Sequence, residues 1–169
     1  MFLEEMLKYQ RDVVTFSVFR KLTVNIYKAI KFKLLGDKDK LEWQQILIAD
    51  GLRIAGFCKQ AYWLASKVQT LTSSEKHRFW SNHVSGIALQ YAGDMKGAER
   101  VFLQSQDYGC ELSLSFSLQH LGKLHVELGN YELAEKQFTE ALIIRKKLKR
   151  IDLVDSTNRA MQGLQKLRT

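Results

Sequence analysis

Apolar residues recur every three to four positions through most of this chain, and the breaks between the runs are short, polar and rich in glycine. That period belongs to an α-helix with one buried face; a strand would alternate every second residue. The clearest stops are Gly36-Asp37, Gly56, Gly93-Asp94 and Gly129-Asn130. Between them the pattern predicts helices from about Lys38 to Ala55, Phe57 to Leu71, Met95 to Gln106, Glu111 to Leu128 and Tyr131 to Lys149, with a further helix ending at Gly93. Thr72-Ser73-Ser74-Glu75 reads as the start of that one, a capping box in which threonine and glutamate satisfy each other's free N–H groups. Leu153, Val154, Thr157, Ala160, Met161, Leu164 and Leu167 mark an amphipathic last helix. Residues 1–35 are helical by pattern but divide less cleanly. Leu3, Met6, Leu7, Val13 and Val14 form one segment, and Val18, Leu22, Ile26, Ala29 and Ile30 form the next. A turn near Thr15–Ser17 would make two helices, with Leu22, Ile26 and Ala29 as the inner stripe of the second; one long capping helix is the alternative. The fold class is all-α.

The stops repeat. Gly56, Gly93 and Gly129 lie 37 and 36 residues apart, and Ala61, Ala98 and Ala134 follow at a constant offset. Glycine suits the first site because a helix often stops through a left-handed residue that costs other side chains steric energy. Alanine suits the second because two helices approach closely only where a small side chain sits between them. Four residues later stand Ala65, Phe102 and Phe138, filling the space beside it.

Within Ser115–Leu148, the spacing Leu118-x2-Leu121-Gly122 and then Ala134-x3-Phe138 resembles the tetratricopeptide repeat, with leucine where the family usually carries tryptophan. The resemblance is good over residues 42–148 and weak over 1–41. It implies an α–α superhelix of stacked helical hairpins: 38–71, 74–107 and 111–148, preceded by a degenerate repeat or N-terminal cap (1–36). Helix 151–168 would cap the last pair, as the end of a stacked array requires. The whole would be one domain, 1–169. Some positions depart from the family. The mid-helix glycine kept at Gly86 and Gly122 is Ala49 in the earlier pair, the repeat-end proline is absent, and the repeat is longer than usual.

In that family the first helix of each pair lines a concave face that holds an extended peptide or a partner helix. Fixed offsets from Ala49, Gly86 and Gly122 select the lining. Six residues before stand Trp43, Trp80 and Phe116; three before, Ile46, His83 and Gln119; one after, Asp50, Ile87 and Lys123; four after, Arg53, Gln90 and Val126. The resemblance therefore implies peptide or protein binding by Trp43, Asp50, Arg53, Trp80, His83, Gln90, Phe116, Gln119 and Lys123. Packing of the rings between neighbouring first helices is the competing reading. The lysine and asparagine clamp by which some members hold a C-terminal carboxylate is not reproduced, because its slots hold residues such as Ile46, Leu47, Asp50, Val84 and His120.

Composition changes this picture little. A chain of 169 residues, 46% hydrophobic and without proline, suits one helical domain with short connections. The longest uncharged run, Phe79 to Gly93, is too short and polar to span a bilayer, so no membrane span is expected. Cys58 and Cys110 have no ligand spacing and read as small buried residues in a reduced, cytoplasmic protein. His77, His83, His120 and His125 include no i, i+4 pair, and His125 takes a packed position. No metal, cofactor or catalytic constellation is expected, and the reading is non-enzymatic. The net charge of +8 adds an alternative, contact with nucleic acid or another acidic surface through Lys28–Lys33 and Arg145–Arg150. Against it, both clusters fall at helix ends, where cations are favoured in any case. Monomer and homodimer are both left open.

Overall fold

The computed structural model describes residues 9–168. Among them are eight helices and no strand: α1 Phe16–Leu34, α2 Lys38–Ile54, α3 Cys58–Leu71, α4 Glu75–Ala92, α5 Met95–Ser105, α6 Glu111–Glu127, α7 Tyr131–Lys147 and α8 Ile151–Arg168. Their ends lie close to those read from the apolar period. Gly36, Gly56, Gly93 and Gly129 all adopt positive φ, the left-handed conformation that ends a helix cheaply only for glycine. Asp37 and Asp94 start the next helices by accepting from the N–H groups of Lys40 and Gly97.

Two expectations fail locally. Residues 9 and 10 form a turn and 11–15 have no regular structure, so Val13 and Val14 belong to no helix and both are exposed. Leu3, Met6 and Leu7 lie outside the described residues. The N-cap of α4 is Ser74, whose Oγ accepts from His77 N–H at 3.3 Å. Thr72 is not available to cap, because its hydroxyl donates to Glu42 Oε2 at 2.7 Å.

The chain forms two compact units. One contains Asp12–Tyr108, and here α1 packs on α2, α2 on α3, α3 on α4 and α4 on α5; α2 also contacts α4 directly. Ile46, Ala49, Ala65, Val68 and Val84 make a core shared by α2, α3 and α4, with Trp43 and Trp80 packed at its edge. Gly86 admits the next helix, since a Cβ there would come within 2.6 Å of the Phe102 ring. Helix α1 is the exception, with no fully buried residue. Leu22 lies against Gly51 of α2 and Ala29 is half-buried, but Ile26 is exposed, as are Phe16, Phe19, Tyr27, Ile30 and Leu34.

The other unit contains, among the described residues, 9–11 and 109–168. Helix α6 packs on α7, and α8 covers α7 with contacts to α6. Phe138 stands over Gly122 as Phe102 stands over Gly86, and an added Cβ would meet its ring at 2.5 Å. Val126, Ala134, Phe138, Ala160 and Leu164 form the core together with Tyr9. The Tyr9 hydroxyl donates to the carbonyl of Ala160, and Arg11 makes a two-point ion pair with Glu127 at 2.8 and 3.1 Å.

Candidate functional site

The α2–α4 face gathers most of the residues expected to bind. Trp43 and Trp80 meet edge to face with ring centroids 6.5 Å apart. His83 stands edge-on to Trp80 at 5.4 Å and stacks on Phe79 at 5.6 Å, while Trp43 stacks on His77 at 5.8 Å. Helical spacing drives this: residues three or four apart share a face, so Lys76/Trp80 and Phe79/His83 each climb α4 in register. Lys76 Nζ lies 4.5 Å from the Trp43 ring centroid, a cation–π arrangement at the edge of the cluster. Both tryptophans are half-buried, whereas His83 and Gln90 are buried. The rings therefore serve the core and the surface at once.

Farther along α2, Arg53 is a buried cation held by carboxylates. Its Nε and Nη2 contact Asp50 Oδ1 at 2.8 and 2.7 Å, and Nη1 donates to Asp12 Oδ2 from the chain before α1. Tyr91 on α4 completes the arrangement. Its hydroxyl donates to Asp12 Oδ2 at 3.0 Å and accepts from the Asp12 N–H at 2.8 Å, while the Arg53 guanidinium lies 5.4 Å from its ring centroid. Burial alone would lower the Arg53 pKa, but Asp50 and Asp12 outweigh it and hold the proton more tightly. Burial, aided by the Asp12 charge, pushes the Tyr91 phenol up to about 12.

Phe116, Gln119 and Lys123 belong to the other unit, where Gln119 is buried and the other two are half-buried. Gln119 is buried and accepts from Arg145 Nη1 and from Thr157 Oγ1, the latter at 3.1 Å. Arg145 also donates to Ser115 Oγ at 3.1 Å and Thr157 Oγ1 at 2.7 Å, and its guanidinium sits 5.2 Å from the centroid of Phe116. Lys123 Nζ donates to the carbonyl of Gln10 at 3.2 Å. Arg145 thus leaves the surface cluster expected over Arg145–Arg150. Lys147 pairs with Glu111 and Arg150 with Asp152, while Lys146 and Lys149 are exposed. Lys28, Lys31 and Lys33 are exposed on α1, which also carries Arg20 and Lys21 and no carboxylate.

Several elements escaped sequence reading. Glu42 is buried and takes hydrogen bonds from Thr72 at 2.7 Å and His77 at 3.2 Å. Burial raises its carboxyl pKa, yet those bonds win and the net direction is down. Asp12 and Tyr91 carried no signal beyond their residue types, since their meeting depends on chain far apart in sequence. Cys110 is exposed at the start of α6 and Cys58 half-buried, against the expectation of two buried thiols. His125 is buried. Among the described residues no group of histidine, cysteine or carboxylate side chains could hold a metal ion, and no helix is long and apolar enough to cross a membrane. No family model, curated protein or solved structure matches this chain.

Proposed function

We propose that this chain is a non-enzymatic binding scaffold of tetratricopeptide-like hairpins, whose α2–α4 face takes a peptide or an extended segment of a partner protein. The supporting observation is the direct contact of α2 with α4, the first helices of consecutive hairpins. Half-buried Trp43 and Trp80 meet edge to face across it, and the Asp50–Arg53 pair lies farther along α2. Aromatic anchors beside desolvated charge are the usual makeup of an interface hot spot. The repeated Gly86–Phe102 and Gly122–Phe138 contacts support the hairpin reading within each unit. Affinity capture from the native host, followed by peptide mapping, tests it. Capture should be lost with Trp43→Ala/Trp80→Ala in a protein whose helical circular dichroism is unchanged. Undiminished capture by that folded variant refutes the reading.

A second reading, contact with an acidic surface, is favoured by α1 alone. A shallow depression lined by Arg20, Lys21, Val24, Asn25, Lys28 and Leu47 adjoins its exposed apolar side. Binding of that kind weakens steeply as salt rises, whereas an aromatic-anchored complex does not.

A further inference from the structure

We propose that Arg53 and Tyr91 form a receptor for an aspartate presented by an extended polypeptide, and that Asp12 fills it in cis until an acidic peptide displaces it. This rests on the scaffold reading and names the ligand class and the control of the same face. The receiving half is built in. Arg53 is 8% exposed at its side chain and is braced by Asp50 through Nε and Nη2, leaving Nη1 for an incoming carboxylate. The arriving half is not built in, since the Asp12 side chain is 47% exposed and lies on non-helical chain.

Tyr91 makes the arrangement selective. One hydroxyl reads both the backbone N–H and the carboxylate of the same residue, which fixes the register of a non-helical segment as well as its charge. The chain before Asp12 is anchored, with Tyr9 in a core and Arg11 paired with Glu127, and the chain after it is not. Here Val13 is 77% exposed and Phe16 85%, and Thr15 and Ser17 bond to each other at 2.8 Å. Little apolar contact therefore opposes the departure of Asp12. An in-cis occupant at high effective concentration weakens any external peptide of the same chemistry.

The test uses the whole chain and a fluorescent synthetic peptide copying residues 9–16, read by anisotropy at fixed salt. Asp12→Ala should bind the peptide at least about tenfold more tightly than the natural chain, because the competing carboxylate is gone. A peptide carrying Asp12→Asn should bind that variant about tenfold more weakly, the expected loss of a charge-assisted hydrogen bond. Adding Tyr91→Phe, which keeps the ring, should weaken the aspartate peptide as well. Equal binding to the natural chain and to Asp12→Ala, equal binding of the two peptides, or no binding to Asp12→Ala at millimolar peptide each overturns the proposal. Partner capture separates it from the reading beneath it. Capture that depends on Trp43 and Trp80 while the peptide fails leaves the scaffold and removes the cradle. Peptide binding with capture indifferent to both tryptophans does the reverse.

Discussion

The two units share one packing device and solve one electrostatic problem in opposite ways. In each, a helix glycine receives a phenylalanine from the following helix, Gly86 with Phe102 and Gly122 with Phe138. Each also buries an arginine. Arg53 is answered by the carboxylates of Asp50 and Asp12, which remain partly wet, and its proton is held more tightly than usual. Arg145 is answered by neutral oxygens only: Ser115, Gln119, Thr157 and the carbonyl of Leu153. Burial pushes its guanidinium down to about 10, still far above neutrality. A charge satisfied by fixed neutral dipoles is a locked part of a core. A charge satisfied by half-exposed carboxylates can exchange one of them, which is what a binding residue needs.

The sharpest way to break that contrast is to remove each arginine. Arg145→Ala should cost about 3–5 kcal/mol in urea unfolding, because several buried acceptors lose their donor together. Arg145→Met with Gln119→Leu should recover much of it, as apolar replacement of a buried polar group often does. Next come the shared glycines. Gly122→Ala and Gly86→Ala should each cost about 1–3 kcal/mol by overpacking against a ring, and a large difference between them would mean the two hairpins are not equivalent. Arg53→Ala should cost only about 1 kcal/mol, since the carboxylates left behind can hydrate. A loss as large as that of Arg145→Ala would erase the distinction.

A further test is alkaline. Tyr9 and Tyr91 both rise from 10 to about 12 on folding, Tyr9 chiefly through burial. A raised folded pKa means stability is intact below pH 10 and is lost as pH climbs from 10 through 12. Thermal melts across that window should fall, and Tyr91→Phe should flatten the part that belongs to the unit spanning Asp12–Tyr108.

Legibility followed the range of the interaction. Helix ends could be read because a glycine at a left-handed turn leaves a local mark, as at Gly56 and Gly129. Ala98, Ala134 and their aromatic neighbours could be read because the contact recurs along the chain. Thr72 misled because it has the chemistry of a cap, yet Glu42, thirty residues away, claims its hydroxyl. Arg145 misled because it begins a run of cations while its acceptors come from α6 and α8. Val13 and Val14 have the spacing of a helical stripe, and nothing local says that the stretch is not helical. The candidate face was legible at Trp43, Trp80, Asp50 and Arg53, and not at Asp12 or Tyr91.

Tyr9 reaches its place only against α8, where Gly163 leaves room for the phenol ring. A ribosome making this chain must therefore synthesise roughly 150 further residues before that ring finds its seat. Until then the Tyr9 side chain lacks its native partner carbonyl. For this unit, closure waits on the synthesis of α8, whatever the order in which the other helices pack.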